Sequence, residues 1–306
     1  MLAFSTNWNA GRQHNGEAMI AEILELGFDH IELGHGLSVS QLQGIRKAYA
    51  GGNGGFRVVS VHNFCPNPVE VLMDNPDCYE FTAHRPQERE RALRLTRQTM
   101  ATASEFGARL VVLHLGRIAA LRGMTDGMLR SLRNKGVSGR DFVRMKLAAV
   151  IKRESHARVY LERVTRILKV LVQEASTLGL TLVIENRSDF EAIPTERELL
   201  ALLKHFDSPH LRYWHDFGHA RMRENLGLLD HAQWLEKIAP YAAGAHLQDA
   251  RWPDKDHLVP FQGEIPFDRL VKILPSSLPY ILELSRHAKP ESIREAALRW
   301  ESLVTP

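Results

Sequence analysis

Ionisable side chains directly follow several short apolar runs in this sequence. The residues in these positions are Glu32, His62, His114, Glu185, Asp216, His246 and Glu283. Because side chains alternate along a β-strand, Glu185 shares a face with Val183, and His114 shares a face with Val112. If these faces point into one core, carboxylates and imidazoles converge there. A buried carboxylate without a partner is costly in free energy or becomes protonated, so such a cluster needs a compensating charge.

A divalent cation would supply that charge. Oxygen and nitrogen ligands without a thiolate suit Mn, Mg, Zn, Co or Fe. A lone His in a strand is usually a core residue, and a lone Glu at a strand end often pairs with Arg, but the recurrence at successive strand ends favours a metal site. We predict one divalent cation, with a second as an alternative. No Gly-x-Gly-x-x-Gly motif follows a predicted strand, so no organic cofactor is expected.

Eight apolar runs alternate with eight amphipathic stretches along the chain. The predicted strands are residues 2–8, 30–34, 57–64, 109–116, 181–187, 211–216, 243–248 and 280–285. The predicted helices are residues 16–26, 39–49, 87–106, 160–178, 195–206, 230–238, 266–274 and 291–303. This alternation predicts an α/β fold, namely a closed (β/α)8 TIM barrel that forms a single domain over residues 1–306.

Two connections are longer than the others, residues 65–86 after strand 3 and residues 118–156 after strand 4. The second predicts extra helices at 126–134 and 140–152, separated by a turn at 136–139. Both connections follow the C-terminal ends of strands, where the active sites of these barrels lie. We therefore expect the insertion 118–156 on the active-site face, where it would wall or cover a pocket.

The composition is that of an ordinary globular protein. The 306 residues are 44% hydrophobic and 25% charged, which excludes a disordered chain. No run of 18 apolar residues occurs, so no membrane span is predicted. The two cysteines cannot form a disulfide framework, which favours a cytoplasmic location. The net charge is only +3, and the basic segment 117–169 is interpreted as a solvated helical face rather than a nucleic-acid site.

Short motifs occur in a fixed order at the ends of the last four predicted strands. They are IEN at 184–186, HDFGH at 215–219, HLQD at 246–249 and ILE at 281–283, with the segment DHLVPFQGEI at 256–265. In this combination the sequence resembles the xylose isomerase-like TIM-barrel superfamily of sugar isomerases, sugar epimerases and class II apurinic endonucleases. The resemblance extends over essentially the whole chain and is weakest in the insertion.

The resemblance implies roles for individual residues. The four metal ligands that it implies are Glu185, Asp216, His246 and Glu283. Glu185 and Glu283 match residues that also exchange a proton with the substrate. His219 matches a residue that contacts substrate in the epimerases and binds an extra metal in the endonucleases.

The resemblance also bears on a second metal. His62 and His114 match the histidines that hold another zinc in the endonucleases together with the strand-5 Glu, and His257 matches a ligand of a third site. The endonuclease pattern has Asp two residues before that His, whereas this sequence has Lys255. A cationic side chain cannot bind zinc, so the resemblance favours sugar chemistry over phosphodiester cleavage.

The expected function is that of a metal-dependent isomerase or epimerase of a sugar or sugar phosphate, acting through an enediolate by proton transfer. The alternatives are a zinc-dependent hydrolase of the apurinic endonuclease type, a related polyol dehydratase, and a barrel that binds a sugar or metal without turnover. The expected partner is a small sugar-like molecule. Nucleic acid and membrane are not expected as partners, and a homo-oligomer is an open alternative.

Other residues are candidates for contact with the substrate. Trp8, Phe64 and Trp252 could stack on the apolar face of a sugar, although ordinary packing would explain them equally well. Asp249 either supports the ligands from behind or touches the substrate.

Two further residues of the strands have open or structural roles. Glu32 is either a substrate contact or a partner of Arg12 or Lys255. His215 is adjacent to Asp216, so it should point away from the pore toward the helices.

Overall fold

Eight parallel strands form the centre of the computed structural model, which describes residues 1–50, 55–71, 75–135 and 139–304. The barrel strands are β1 (Leu2–Ser5), β2 (His30–Leu33), β3 (Arg57–His62), β4 (Leu110–Leu113), β5 (Thr181–Glu185), β6 (Leu211–Asp216), β7 (Ala242–Leu247) and β10 (Tyr280–Leu282). A separate hairpin consists of β8 (Asp249–Arg251) and β9 (Lys255–Leu258).

The sheet closes on itself. The strand order is β1-β10-β7-β6-β5-β4-β3-β2, and β1 pairs in parallel with both β10 and β2. Every neighbouring pair in the barrel is parallel, so the C-terminal ends of all eight strands lie at the same rim. The predicted (β/α)8 TIM barrel is therefore confirmed.

Helices surround the barrel. They are α1 (Asn7–Ala10), α2 (Gly16–Glu25), α3 (Val39–Ala50), α4 (Pro86–Glu105), α5 (Met124–Lys135), α6 (Arg140–Leu178), α7 (Glu196–Phe206), α8 (Phe217–Asn225), α9 (His231–Ile238), α10 (Phe267–Leu270) and α11 (Pro290–Val304). A capping box begins α7, where the Thr195 amide donates to Glu198 at 2.7 Å. In the described parts of the chain, no helix is long and apolar enough to cross a membrane.

A small apolar cluster fills the inside of the barrel. It contains the buried residues Ala3, Val112, Val183, Trp214 and Ile281. Four of these residues are followed, two positions later in the chain, by an ionisable residue. These ionisable residues are His114, Glu185, Asp216 and Glu283. Because strand side chains alternate, these residues also point inward, one layer closer to the C-terminal rim. The ionisable side chains therefore lie directly above this packed apolar layer, on its C-terminal side.

The insertion differs from its prediction. The segments predicted as separate helices at 140–152 and 160–178 form one helix, α6, of 39 residues. No Gly or Pro interrupts the sequence between them, and buried Arg153 and Ala157 give that stretch an inward face. The other predicted helix, 126–134, is present as α5. The predicted turn at 136–139 falls on residues of which 136–138 lie outside the described part.

Helix α5 packs beside the segments that follow β5 and β6. Its buried Met128 and Leu132 share a cluster with Phe142 of α6, Phe190 and Leu226. The start of the insertion is tied to the same place, since the Ile118 amide donates to the carbonyl oxygen of residue 191 at 2.8 Å. The insertion therefore contacts segments at the C-terminal rim.

Helices α1 and α8 and the hairpin β8–β9 were not predicted. The chain turns into α1 after Ser5, so Trp8 lies on a short helix rather than at the end of strand 2–8. Helix α8 begins directly after β6, and the Asp216 side chain caps it by accepting the His219 amide at 2.6 Å. The hairpin β8–β9 occupies the connection between β7 and β10.

Candidate metal centre and active site

Four side chains from neighbouring strands converge at the C-terminal rim. Glu185 ends β5, Asp216 ends β6, His246 lies on β7, and Glu283 follows β10. One ligand atom from each lies within 4.8 Å of all the others, and all four residues are buried. The parallel register aligns them, since Asp216 is the direct neighbour of His246. The structure therefore brings together the four residues whose role as metal ligands is predicted.

The spacing and the open polar atoms of this cluster fit a divalent cation. His246 Nδ1 lies 3.1 Å from Glu283 Oε2, and 3.7 Å from both Glu185 Oε1 and Asp216 Oδ2. Ligands on opposite sides of an ion are about 4.2 Å apart when each bond is about 2.1 Å long. Within the described residues, Glu185 Oε1 and His246 Nδ1 are buried without a well-aligned hydrogen bond. A cation would satisfy both atoms at once.

Glu32 orients His246 from behind. Its fully buried carboxylate accepts the Ser60 hydroxyl at 2.8 Å and faces His246 Nε2 at 3.2 Å. With its proton on Nε2, the His246 imidazole presents the Nδ1 lone pair to the cluster, as metal-binding histidines commonly do. Arg12, one of the two alternative partners for Glu32, pairs instead with a glutamate of α2. The contact of Glu32 with substrate stays a prediction.

A second cluster shares Glu185 with the first. Glu185 Oε2 lies 3.1 Å from His62 Nε2 and 3.0 Å from His114 Nε2. The other ring nitrogens are already engaged: His62 Nδ1 donates to the Asn63 carbonyl oxygen at 2.9 Å, and His114 Nδ1 lies 2.9 Å from Asp77 Oδ1. The structure thus brings His62 and His114 together with Glu185, as the resemblance implied.

Sequence reasoning missed Arg187 and Asp77, which border this second cluster. Arg187 Nη1 lies 2.8 Å from His114 Nε2 and 3.5 Å from Glu185 Oε1. Asp77 contacts Arg187 Nη2 at 3.6 Å and Arg117 Nη2 at 2.6 Å. Arg187 stands two residues after Glu185, so strand alternation is a signal that could have found it. Asp77 lies in the long connection after β3, where the sequence carries no comparable signal.

The first cluster holds its glutamates ionised. Burial alone would raise the pKa of Glu185, but the adjacent imidazoles of His114 and His246 lower this pKa well below its usual value. Burial is likewise outweighed at Glu283, whose pKa is lowered mainly by His246. At Asp216, burial prevails and the pKa is raised. The glutamates therefore offer negative charge to a cation at neutral pH.

The imidazoles respond to the same charges in the opposite direction. Burial alone would lower the pKa of His246, but Glu283 and the other carboxylates around it raise this pKa well above its usual value. At His219, burial is outweighed mainly by Asp216, and the pKa rises to about 9. His219 Nδ1 lies 3.0 Å from Glu185 Oε1, so this histidine belongs to the candidate site. A protonated His219 is a hydrogen-bond donor at its edge.

Two more residues near Glu283 were not anticipated. The Asn7 amide nitrogen Nδ2 donates to Glu283 Oε1 at 2.8 Å, which fixes the orientation of that carboxylate. His35 Nε2 lies 3.9 Å from the same oxygen, and its ring centroid is 4.9 Å from that of His62. Asn7 stands two residues after the end of β1, and His35 stands two residues after the end of β2.

The hairpin β8–β9 is connected to the candidate site through Gln248, which was not predicted either. Gln248 Nε2 donates to Asp216 Oδ2 at 2.7 Å, and Gln248 Oε1 accepts the His257 amide at 2.6 Å. The His257 ring is half-buried, 5.9 Å from the His219 ring between centroids, and its Nδ1 lies 3.1 Å from Asp256 Oδ1. His257 therefore stands beside the first cluster without joining it.

Asp249 shapes a loop at the rim. It is buried, and its carboxylate accepts the backbone amides of Gly263 at 2.7 Å and Ile265 at 3.1 Å. These contacts hold the loop in place, and a role of Asp249 behind the ligands or at the substrate stays a prediction. Trp252 lies at the hairpin turn with 43% of its surface exposed, and its contact with substrate stays a prediction.

The two other aromatic candidates are buried in the packing. Trp8 is 2% exposed, its indole Nε1 donates to the Ala288 carbonyl oxygen at 3.0 Å, and Arg12 lies over its ring at 4.3 Å. Phe64 is 3% exposed and meets Tyr79 edge-on, with 6.4 Å between ring centroids. Ordinary packing accounts for the position of both residues.

His215 faces the helices, as strand alternation predicts. Its Nδ1 lies 2.7 Å from the Tyr213 hydroxyl, and its Nε2 lies 3.0 Å from His231 Nε2. Tyr213 in turn donates to Asn186 Oδ1, which also accepts the Asp216 amide at 2.7 Å. This buried network holds the end of β6 from outside the barrel.

Several solved structures with the same fold are described as sugar epimerases. A D-tagatose 3-epimerase-like protein aligns with a TM-score of 0.69 and 17% sequence identity, covering 99% of this chain and 96% of that chain. A 3-keto-D-glucoside 4-epimerase from E. coli, in apo form, aligns with a TM-score of 0.67 and 16% identity, covering 98% of both chains. A D-psicose 3-epimerase in the presence of D-fructose aligns at 0.64 and 14%, covering 99% of both. At these identities the likeness shows the fold alone.

No curated protein matches this sequence. The family model described as xylose isomerase-like TIM barrel matches residues 20–303. This match covers most of the barrel and the strand-end residues from Glu32 to Glu283. The chain therefore belongs to the xylose isomerase-like TIM barrel family.

Proposed function

We propose that this protein is a divalent-metal-dependent epimerase or isomerase of a small sugar. One observation carries the proposal: Glu185, Asp216, His246 and Glu283 present buried ligand atoms within 4.8 Å of one another at the active-site rim of a TIM barrel. The epimerases named among the similar structures support the choice of substrate class.

Glu185 and Glu283 are the two groups proposed to transfer the proton. In the sheet order, β6 and β7 separate their strands, so the carboxylates approach the centre from different sides. Such an arrangement allows one carboxylate to remove a proton from carbon and the other to return a proton to the opposite face. Both are ionised at neutral pH because their pKa values are lowered, so each can accept a proton.

Neighbouring side chains select the reactive oxygen of each carboxylate. His62 and His114 engage Glu185 Oε2, which leaves Oε1 turned toward the cluster. Asn7 engages Glu283 Oε1, which leaves Oε2 facing His246. Carboxylates held in this way need little reorganisation before proton transfer.

A bound cation would polarise a substrate carbonyl and make the adjacent C–H bond more acidic. Asp216 and His246 complete its ligand set in this proposal, with Glu32 fixing the ring of His246. His219, whose Nδ1 lies 3.0 Å from Glu185 Oε1, is proposed to contact a substrate hydroxyl. These residues bind and orient the substrate, whereas the glutamates move the proton.

The proposal is tested by solvent deuterium uptake. The protein would be stripped with a chelator, reloaded separately with Mn, Mg, Co or Zn, and incubated in D2O with ketoses including D-tagatose, D-psicose and D-fructose. NMR should show deuterium entering at carbon next to the carbonyl, only with metal present. Glu283→Gln and Glu185→Gln should lower the uptake rate about 10²- to 10⁴-fold, the usual contribution of a general base.

Glu174→Gln is the matched control, because Glu174 is an exposed glutamate paired with Arg97 on the outer helices. Its uptake rate should equal that of the unmodified protein. Uptake that persists in metal-free protein, or that Glu283→Gln leaves unchanged, would contradict the proposal.

A zinc-dependent phosphodiesterase is the second candidate function, because His62, His114 and Glu185 form another group that could hold a metal. Cleavage of an oligonucleotide containing an abasic site, together with no deuterium uptake on any sugar, would support it. A polyol dehydratase would use the same deprotonation and is recognised by loss of water from the NMR-monitored product.

A further inference from the structure

The second cluster contains a cation that belongs to the chain itself. The Arg187 guanidinium lies 2.8 Å from His114 Nε2 and 3.5 Å from Glu185 Oε1, through the same nitrogen Nη1. These two residues are members of the group, with His62, that could hold a second metal. Arg187 therefore contacts two of the three side chains that a second ion would use.

Hydrogen-bond roles show that His114 is prepared for a cation. Asp77 Oδ1 lies 2.9 Å from His114 Nδ1, and a carboxylate can only accept, so the ring proton sits on Nδ1. Arg187 Nη1 can only donate, and it lies 2.8 Å from His114 Nε2, which also faces Glu185 Oε2 at 3.0 Å. The guanidinium therefore lies against the His114 nitrogen that a second metal would bind.

Arg187 is held in this position. Its Nη2 lies 3.6 Å from Asp77 Oδ2, and the same oxygen binds Arg117 Nη2 at 2.6 Å. Only 19% of the Arg187 side chain is exposed. Asp77 thus fixes both His114 and Arg187, and a second ion would have to displace a guanidinium that is anchored on its other side.

We propose that Arg187 takes the place of a second divalent cation in this protein. The chain then holds one ion, at Glu185, Asp216, His246 and Glu283, while the guanidinium supplies positive charge beside Glu185 Oε1. Like charges at this separation repel strongly inside a protein, so Arg187 keeps the second cluster free of metal. The inference rests on the proposed function, in which the first ion binds at the four-residue cluster. It assigns Arg187 the role of limiting the number of metal ions that the chain binds.

The test is the number of metal ions bound per chain. Purified unmodified protein, Arg187→Met and Arg187→Lys would be saturated with Mn or Zn, freed of excess ion, and measured by elemental analysis and by calorimetric titration. We expect one ion for the unmodified protein and for Arg187→Lys, and two for Arg187→Met. Any second ion in the unmodified protein should bind at least about 100-fold more weakly than in Arg187→Met, the scale on which groups around a site change metal affinity.

Two further variants assign the change to this cluster. Arg117→Gln removes the other arginine on Asp77, which contacts neither His114 nor Glu185, and should keep one ion. Arg187→Met combined with His114→Gln should return to one ion, because the double variant lacks a ligand of the second cluster. Circular dichroism, together with binding of the first ion, shows whether each variant is folded. If Arg187→Met does not fold, Arg187→Gln is used in its place.

Two ions of similar affinity in the unmodified protein, or one ion in every folded neutral variant of Arg187, would overturn the inference. If the proposed function is wrong but the inference about Arg187 is right, the metal counts differ from both of these outcomes. No ion in the unmodified protein, with one appearing in Arg187→Met and lost again with His114→Gln, would contradict the four-ligand centre and uphold the role of Arg187.

Discussion

Individual side chains around the centre are oriented by partners one layer further out. Glu32 fixes the ring of His246, Asn7 fixes Glu283, and Gln248 fixes Asp216 through Oδ2. Such partners raise the affinity of a site because they remove the cost of orienting the ligands when an ion binds.

The Glu32–His246 contact gives a prediction at the scale of one residue. Glu32→Gln should lower the affinity for Mn about 10- to 100-fold, because a neutral amide orients the imidazole less strongly than a carboxylate. Calorimetric titration of the metal-free protein measures the change. Ser60→Ala is the control, since it removes a hydrogen bond to Glu32 but keeps the carboxylate, and its effect should be smaller. Equal affinities for Glu32→Gln and the unmodified protein would contradict this role.

The central side chains could be identified from the sequence, because each follows an apolar run and lies on the same strand face as the inward-facing residues of that run. Arg187 obeys the same alternation and could have been found, but its charge is opposite to that of a ligand. Asp77 could not have been found, because the connection after β3 has no periodicity to place it. Its role depends on contacts with Arg117 and His114 that only the folded chain creates.

Among the elements, the strands were predictable and some of the helices were not. Nearly continuous Val, Ile and Leu mark a strand that is buried on both faces. The interruption placed between residues 152 and 160 was wrong, because charged residues alone do not end a helix without Gly or Pro. Helix α8 was missed because most of its residues, Phe217–Asn225, are buried, whether polar or apolar, and show no amphipathic pattern.

The packing between neighbouring strands β6 and β7 gives a prediction at this scale. A Cβ atom on Gly244 would lie 2.2 Å from Trp214 Cζ3, and 2.7 Å and 2.9 Å from two other ring atoms. Trp214 fills the floor of the barrel and cannot move without disturbing the layer that carries Asp216. Gly244→Ala should therefore lower the free energy of unfolding by about 1–3 kcal/mol, as overpacking usually does.

Urea denaturation measures this change. Gly11→Ala is the matched control, because Gly11 has ordinary helical backbone angles and the nearest atom to an added Cβ is 3.9 Å away. Its stability should change by less than about 0.5 kcal/mol, the range of surface substitutions. A Gly244→Ala protein as stable as the unmodified one would show that the barrel interior is less tightly packed than described.

The stability of the whole molecule should depend on buried neutral histidines. Burial lowers the pKa of His231 to about 3, and burial with the nearby charge of His231 lowers that of His215 well below its usual value. The unfolded chain binds these protons with pKa values of about 6.5. The stabilising contribution is therefore complete above pH 6.5 and is lost as the pH falls from 6.5 toward 3.

For metal-free protein, each such histidine should lower the free energy of unfolding by about 1.4 kcal/mol per pH unit below pH 6. Denaturant titrations at pH 7, 6 and 5 measure the slope. His231→Gln should make the slope shallower by that amount, because one titrating group is removed. His205→Gln is the control, since His205 lies at the partly exposed end of α7, and its slope should match the unmodified protein. Identical slopes for all three proteins would contradict the prediction.

The closed sheet is the feature of the whole molecule on which the proposed function depends, because only closure brings the ends of β5, β6, β7 and β10 around one point. Crystals soaked in manganese, with anomalous diffraction recorded near the manganese edge, test this most directly. We predict a single peak about 2.0–2.4 Å from the ligand atoms of Glu185, Asp216, His246 and Glu283. No peak among these four residues, at a manganese concentration that saturates binding in solution, would contradict the account.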